Sequence, residues 1–215
     1  MSQLIAIMMV VLGYVIGAVP VGLLIVRRMT GKDVRMVGSG RSGATNVIRA
    51  AGIRAGLTTA MLDLVKGALP IWLVKLILPE WPWAHVLAGV AAVLGHNYSI
   101  FLPEVVTDPQ TGYARTVLRG GAGGVTTVGG AIGLWAWTGA ILIPAGATIL
   151  FGIGYASLAT MSGGIMTTII MAMRASQGLA PEAYVYYGLS CLALQLWALR
   201  PNIKRLLNGT ERLVG

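Results

Sequence analysis

Long apolar stretches dominate the chain, and the polar residues gather in short segments between them. Leu4–Val26 has no charged residue and is long enough to cross a bilayer core of about 30 Å at a helical rise of about 1.5 Å per residue. Further stretches of this kind are Ala55–Leu78, Ala84–Leu102 and Ala183–Leu199. Because their apolar residues are continuous rather than alternating, the pattern predicts helices and not strands.

Residues 120–173 form a longer stretch, which contains no Asp, Glu, Lys, Arg or His. It is too long for one crossing, and we expect breaks near Thr138-Gly139 and between Gly152 and Gly164. Three short helices fit this stretch and bring the total to seven. The predicted fold class is therefore an all-α, polytopic membrane bundle that forms a single domain over residues 1–215.

The distribution of charge predicts the orientation of this bundle. The chain has 16 Lys and Arg against 7 Asp and Glu, a net charge of +9 in 215 residues. One basic cluster follows the first apolar stretch and another lies at the C-terminus, and short cytoplasmic loops collect such residues. We expect the N-terminus outside and the C-terminus in the cytoplasm. The basic C-terminal segment, residues 200–212, then has membrane lipids, and not nucleic acid, as its partner.

Composition excludes several other classes of protein. Only 11% of residues are charged and 56% are hydrophobic, which excludes a disordered chain and argues against a soluble domain. The single cysteine, Cys191, has no internal disulfide partner. No second histidine, cysteine or carboxylate stands at ligand spacing from His96, so we expect neither a metal site nor another cofactor.

A glycine-rich segment in the first basic loop reads Gly-Ser-Gly-Arg-Ser-Gly over residues 38–43. Its letters match the dinucleotide-binding fingerprint, but that motif requires a preceding strand, and here the segment follows a membrane span. Closely spaced glycines still let backbone N–H groups converge on an anion. The loop is either a phosphate site or a flexible turn with ordinary cytoplasmic arginines. The candidate phosphate ligands are Gly38, Gly40, Arg41, Ser42, Gly43 and Asn46.

A second glycine-rich turn, residues 119–124, opens a predicted helix. A helix N-terminus with free N–H groups attracts phosphate, although the same glycines would also allow close helix packing in a membrane. The predicted topology places both glycine-rich segments on the cytoplasmic face, which suggests a lipid-biosynthetic enzyme with phosphorylated substrates. The candidate ligands of the second turn are Arg119, Gly121, Gly123 and Gly124.

Three ionisable residues, Asp63, Lys66 and His96, lie within or at the end of predicted spans. Asp63 and Lys66 are three residues apart and share a helix face. Since ionisable groups within a span usually face protein or water, they form either a structural ion pair or part of a site. His96 either orients a polar loop or serves as a base. We take all three as supporting residues of the site.

Several segments together resemble the bacterial acyl-phosphate:glycerol-3-phosphate acyltransferases. The similarity is most specific over residues 38–49, Gly-Ser-Gly-Arg-Ser-Gly-Ala-Thr-Asn-Val-Ile-Arg. Supporting segments follow in the order of the family at residues 62–70, 94–96, 154–158 and 202–211. The resemblance implies seven helices, an external N-terminus and motifs on the cytoplasmic face of a bacterial cell inner membrane.

The same resemblance implies a reaction in phospholipid biosynthesis. The family transfers an acyl group from acyl phosphate to the 1-hydroxyl of sn-glycerol 3-phosphate, and it gives lysophosphatidic acid and phosphate without a metal. By this resemblance, Ser39 and the surrounding loop would hold phosphate and Arg49 would neutralise substrate charge. Ser157 and Asn202 would bind glycerol phosphate. These four are the expected catalytic residues.

The chain also departs from the family pattern at three places. Arg41 stands where the family usually has Asn, the Gly-Gly-Lys-Gly turn reads Gly-Ala-Gly-Gly at residues 121–124, and Leu199 replaces an expected His. A non-catalytic homologue that binds phosphorylated lipid or regulates a partner is therefore an alternative. A small transporter is a third interpretation, because a charge pair lies within a span, although nearly all polar residues gather at one face.

Overall fold

The computed structural model describes residues 1–108 and 110–214, and most of its regular structure is helical. Within these residues the elements in chain order are α1 (Ser2–Ala18), α2 (Val21–Thr30), α3 (Ala44–Ile77), α4 (Pro82–Asn97), β1 (Pro103–Thr107), β2 (Ala114–Leu118), α5 (Gly124–Leu134), α6 (Thr138–Thr148), α7 (Ala156–Ser176), α8 (Ala183–Ala198) and α9 (Arg200–Leu207). A 3₁₀ turn, Val34–Met36, precedes α3, and a π-helix, Ile149–Ile153, continues α6. The all-α class is confirmed, and the described helices outnumber the seven expected.

The first apolar stretch, predicted as one span over Leu4–Val26, consists of two consecutive helices rather than one continuous helix. Val19 and Pro20 separate α1 from α2. Proline lacks a backbone N–H and pushes the residue before it out of the α region, and Val19 accordingly has a ψ of 119°. α2 is therefore a separate helix of 10 residues, with two arginines in its last turn.

α3 begins well before the predicted span Ala55–Leu78. It starts at Ala44, directly after the first glycine-rich loop. The helix is broken at Gly52, whose φ of 84° lies in the left-handed region that glycine adopts without strain. The break creates a short helical segment, residues 44–51, that carries part of the first motif.

The polar segment after α4 contains a β-hairpin, which the all-α prediction missed. α4 ends at Asn97 rather than at the expected Leu102, and β1 pairs with β2 in antiparallel register, Pro103 opposite Leu118. The valines and threonines of both strands favour extended backbone and are the sequence signal for this hairpin. Most side chains of both strands are exposed.

The rest of the chain follows the predicted division closely. Three helices, α5 to α7, occupy residues 120–173 as expected. The first break falls at residues 135–137, directly before the predicted Thr138-Gly139. The second falls at Gly154 and Tyr155, inside the predicted region. α8 matches the predicted Ala183–Leu199 to within one residue.

Small residues bring neighbouring helices into close contact, as is common in membrane bundles. α1 packs along α4, where a methyl group added at Gly17 would overlap the carbonyl group of Ala92. α3 and α5 approach each other in the same way at Gly67 and Gly129. The largest cluster of buried apolar side chains joins α3 to α8 around Tyr187. The core therefore lies between these six helices, and the short α2 and α9 flank one end.

The outer surface of the bundle is strongly apolar. Within the described residues, two helical segments, Ser2–Thr30 and Ala156–Ser176, are both long and apolar enough to cross a bilayer on their own. Along α1, large apolar side chains are exposed on one side at Leu4, Ile7, Met8, Val11 and Val15. An exposed apolar face of this length fits contact with lipid better than contact with water.

Candidate active site

A polar cavity of about 110 Å³ lies at the end of the bundle where the first glycine-rich loop, the second glycine-rich turn and the C-terminal residues meet. Its walls come from that loop, from the first turns of α3, α5 and α7, and from α9 with the residues after it. The polar side chains that line it belong to Ser39, Arg41, Thr45, Asn46, Arg49, Asp63, His96, Ser157, Thr160, Asn202, Arg205, Glu211 and Arg212.

Three helices direct their N-termini at this cavity. Ala44 of α3, Gly124 of α5 and Ala156 of α7 are the first residues of their helices, and all three line it. None of these helices has a side-chain hydrogen bond that caps its first turn. The first N–H groups of a helix have no partner within the helix, and the helix dipole adds partial positive charge there. Three such ends side by side form a site suited to phosphate.

The first glycine-rich loop is held by one buried side chain, that of Asn46. Its amide nitrogen donates to the carbonyl oxygens of Val34, Val37 and Arg41 at 2.8–3.0 Å. Its Oδ1 accepts a hydrogen bond from the N–H of Ser39 at 3.2 Å. Because these bonds occupy the donors of the amide, Asn46 shapes the loop, whereas the sequence suggested it as a phosphate ligand.

Arg41 connects the first loop to two other elements. Its Nη1 donates to the carbonyl oxygen of Gly121 at 2.8 Å, and its Nη2 donates to the carbonyl oxygen of Ala198. Burial lowers the pKa of Arg41 from its ordinary value, but an arginine side chain stays protonated in a protein. Arg41 therefore ties the loop to the second turn and to the end of α8, and its charge still lies at the cavity.

The C-terminal residues 208–214, which we name the tail, return to the cavity through Glu211. The side chain of Glu211 is only 5% exposed. Its Oε1 accepts from Nδ2 of Asn202 at 2.7 Å and from Oγ of Ser157 at 3.3 Å, and its Oε2 accepts from Nε of Arg205 at 2.8 Å. One carboxylate thus gathers three donors from α7 and α9 at the cavity wall.

Three further contacts fasten the tail to the bundle. Arg212 donates to the carbonyl oxygen of Gly38. Nη2 of Arg49 donates to the carbonyl oxygen of Leu213 at 2.9 Å. A backbone hydrogen bond of 2.9 Å joins Val214 to the turn before α7. The tail therefore runs across the first loop and links α9 to the start of α7.

Asp63, Lys66 and His96 form a buried cluster beside the cavity. Nζ of Lys66 lies 2.8 Å from Oδ1 of Asp63 and also donates to the carbonyl oxygen of Val19 at 3.1 Å. Nδ1 of His96 lies 3.6 Å from the same carboxylate oxygen, which is too far for a hydrogen bond. In the described residues, no group of three His, Cys, Asp or Glu side chains is arranged to hold a metal ion. Asp63 and His96 reach the cavity, and Lys66 supports them from behind.

Positive charge exceeds negative charge in the lining of the cavity. Four arginines face two carboxylates there. Burial lowers the pKa of Arg49, the neighbouring Arg212 acts in the same direction, and Glu211 opposes both. Since Asp63 is already paired with Lys66, the lining keeps an excess of positive charge that favours a phosphate group.

Most of the residues predicted for the site come together in the structure. All four predicted catalytic residues, Ser39, Arg49, Ser157 and Asn202, line the cavity. Among the other predicted residues, those that also line it are Arg41, Gly43, Asn46, Gly123, Gly124, Asp63 and His96. Those outside the lining are Gly38, Gly40, Ser42, Arg119, Gly121 and Lys66.

Local contacts explain why some predicted residues lie outside the lining. Arg119 turns toward the hairpin, where its Nη1 lies 3.4 Å from a carboxylate oxygen of Glu104. Gly121 packs against the ring of His96, so closely that a methyl group there would overlap it. The buried Ser42 faces Gly120. These residues shape the walls of the cavity without facing its interior.

Besides Thr45, which lies within the first motif, the lining includes four polar side chains that were not predicted, those of Thr160, Arg205, Glu211 and Arg212. The basic residues of the C-terminal segment predict contact with membrane lipid, and not a place in the site. One signal was available in the sequence, because Glu211 is the only acidic residue after Glu182. An isolated carboxylate among basic residues suggests a specific partner.

Known proteins are similar to this chain over nearly its whole length. The family model described as "Glycerol-3-phosphate acyltransferase" matches residues 7–209. The chain is 38% identical to the glycerol-3-phosphate acyltransferase of Myxococcus xanthus, over 95% of this chain and 97% of the relative. It is 36% identical to the enzyme of that name from Rubrobacter xylanophilus, over 97% and 95% of the two chains.

Two solved structures are similar to the whole bundle. Both are crystal structures of PlsY, described as an integral membrane glycerol 3-phosphate acyltransferase. The glycerol 3-phosphate form superimposes with a TM-score of 0.81 at 28% identity and covers 98% of this chain and 96% of that one. The lysophosphatidic acid form gives a TM-score of 0.79 at 27% identity, over 97% and 94% of the two chains.

Proposed function

The chain belongs to the glycerol-3-phosphate acyltransferase family, and we propose that it transfers an acyl group from acyl phosphate to the 1-hydroxyl of sn-glycerol 3-phosphate. The products are lysophosphatidic acid and inorganic phosphate, so the reaction belongs to phospholipid biosynthesis. One of the similar solved structures is described as a lysophosphatidic acid form, which agrees with this product.

The observation that supports this proposal most is the meeting of three uncapped helix N-termini and four arginines in one cavity. Both proposed substrates carry a phosphate group, and two anions that react with each other must first be held together against their repulsion. Backbone N–H groups and guanidinium groups that are fixed in advance do this without reorganising during the reaction.

We assign each substrate to one side of the cavity. Acyl phosphate lies against Ser39, Arg49 and the N-terminus of α3. Glycerol 3-phosphate lies against Ser157, Asn202 and Arg205. The second group of donors already converges on the carboxylate of Glu211, and this arrangement supports the assignment of an anion to this side. Asn202 and Arg205 keep further N–H groups for a phosphate oxygen next to that carboxylate.

The chemistry needs no covalent nucleophile, because an acyl phosphate is already activated. The 1-hydroxyl oxygen of glycerol 3-phosphate forms a bond with the acyl carbonyl carbon. The bond between that carbon and the phosphate oxygen breaks, and the departing phosphate takes the hydroxyl proton. The protein contributes position and charge neutralisation.

The protein is an integral membrane protein, and we propose that its residues 1–215 form one domain with seven crossings of the bacterial inner membrane. α1 and α2 together make the first crossing, and α3 to α8 make the other six. The N-terminus then lies outside, and the cavity, the first basic loop and the tail lie at the cytoplasmic face.

Single reporter cysteines at Ser2 and Asn208 test this orientation in a Cys191→Ala background. A membrane-impermeant maleimide should label only Ser2→Cys in intact cells, and labelling of Asn208→Cys there would refute the orientation.

Product formation by the purified protein tests the proposed reaction. Palmitoyl phosphate and labelled glycerol 3-phosphate should give labelled lysophosphatidic acid, and palmitoyl-CoA should give none. Arg49→Gln and Ser157→Ala should reduce the rate, whereas Arg115→Gln on the exposed hairpin is the matched control. Absence of product from a folded protein would overturn the proposal, and equal product from palmitoyl-CoA would overturn the assignment of the donor.

A further inference from the structure

A second cavity, separate from the polar one, opens on the outer surface between α2 and α3. Its volume is about 460 Å³, and most of its lining side chains are apolar. The lining consists of Leu24, Ile25, Arg28, Met29, Arg54, Ala55 and Thr58. The break of α3 at Gly52 lies beside it, so this groove begins where α3 resumes its helical course.

Two arginines flank this apolar groove, Arg28 from α2 and Arg54 from α3. Both are exposed, and among the described residues neither forms an ion pair with a carboxylate. The hydroxyl of Thr58 is already engaged, because it donates to the carbonyl oxygen of Arg54 at 3.0 Å. The groove therefore offers an apolar floor and two cations without a protein anion.

The groove also has a definite depth in the bundle. Arg28 lies in the last turn of α2, directly before the basic loop that leads to the polar cavity. The apolar residues Leu24 and Ile25 lie one turn earlier on the same helix, which is toward the interior of the proposed membrane. Positive groups at the membrane boundary above an apolar surface match the order of headgroup and acyl chain in a phospholipid.

We propose that this groove binds one anionic phospholipid of the cytoplasmic leaflet. The lipid phosphate lies between Arg28 and Arg54, and an acyl chain lies along Leu24, Ile25 and Ala55. Bound there, the lipid joins α2 to the part of α3 after its break. This inference rests on the proposed membrane orientation and not on the proposed acyl transfer.

The lipid would also act on the active site through α2. α2 also contacts the first glycine-rich loop, because a methyl group at Gly22 would overlap the carbonyl oxygen of Ser42. A lipid that fixes α2 against α3 therefore limits the movement of the loop that carries Ser39. We expect anionic lipid to raise the melting temperature of the protein.

The test is retention of lipid by the purified full chain, measured by native mass spectrometry. Phosphatidylglycerol and phosphatidylcholine with identical acyl chains are offered at equal concentration. Phosphatidylglycerol should be retained in preference, and Arg28→Gln with Arg54→Gln should weaken that retention about thirtyfold. Arg27→Gln with Arg115→Gln removes the same charge outside the groove and should leave retention unchanged.

A third variant separates the groove from general surface charge. Thr58→Trp keeps both arginines but fills the groove, so it should also abolish the preference for phosphatidylglycerol. The inference is overturned if Thr58→Trp retains the lipid, or if the control pair loses it as much as the groove pair. Displacement of phosphatidylglycerol by inorganic phosphate alone would also overturn it, because the site would then bind free phosphate. A folded Thr58→Trp variant keeps the test valid even if the double arginine variant does not fold.

Discussion

Replacement of Glu211 by glutamine should release the tail from the cavity. Glutamine keeps one oxygen to accept from Asn202, but it places an NH₂ group against the Nε–H of Arg205, where two donors cannot bond. A hydrogen bond to a charged group contributes about 1.5–3 kcal/mol, and Arg205 is 32% exposed, so we take a loss of about 2 kcal/mol. That loss corresponds to about a thirtyfold increase in the equilibrium constant for tail opening.

Hydrogen–deuterium exchange of the full chain, followed by mass spectrometry, measures this opening. Peptides that cover residues 208–214 should exchange about thirtyfold faster in Glu211→Gln, while α3, α5 and α7 exchange at their original rates. The matched control is Glu182→Gln, since Glu182 is exposed and precedes α8 at the other end of the bundle. Unchanged exchange of the tail in a folded Glu211→Gln protein would refute the claim that this carboxylate fastens it. A rise of similar size in the control would do the same.

Three further substitutions test other contacts of the structure. Asn46→Ala removes a buried amide that holds three carbonyl groups. It should lower the free energy of unfolding, measured by denaturant titration, by about 3 kcal/mol. Asn208 is exposed, so Asn208→Ala should leave the free energy of unfolding unchanged. In Arg41→Lys, the lysine side chain cannot bond to both carbonyl groups at once. We therefore expect turnover in the product assay to fall roughly ten- to hundredfold. Unchanged turnover would show that Arg41 does not position the loop for catalysis. Gly17→Val should lower the melting temperature by forcing α1 away from α4, whereas Gly146→Val, which meets no neighbouring atoms, should leave it unchanged.

The fold was predictable where one local signal decides the structure. Uncharged length predicted α8 and the three helices of residues 120–173, and these are confirmed. The break at Val19-Pro20 was visible in the sequence, but the length of the apolar stretch outweighed it in the prediction. The hairpin was missed because two strands of five residues give a weak pattern beside long apolar helices. Charge and length therefore predicted the helices more reliably than their interruptions.

The site was predictable for residues that belong to local motifs and not for residues brought in by the end of the chain. Ser39, Ser157 and Asn202 come from separate motifs, and the fold brings them to one cavity. The position of Glu211 depends on how the tail returns after α9, which no local periodicity encodes. Arg41 illustrates a second limit, because the sequence shows its charge but not that two carbonyl groups already occupy its guanidinium.

The absence of a lysine from the second glycine-rich turn has a physical counterpart in this cavity. Gly123 has a φ of 81° and precedes the first residue of α5, so its conformation directs the free N–H groups of α5 toward the cavity. The helix ends of α3 and α7 contribute in the same way, and Arg41 and Arg49 add full charges nearby. Fixed N–H groups stabilise a phosphate without the entropy that a long lysine side chain would lose. If this account is correct, Gly123→Lys should not increase turnover in the product assay, because the new side chain would enter space against Asn97 and strain a left-handed backbone. A severalfold increase in turnover would instead mean that the cavity lacks charge.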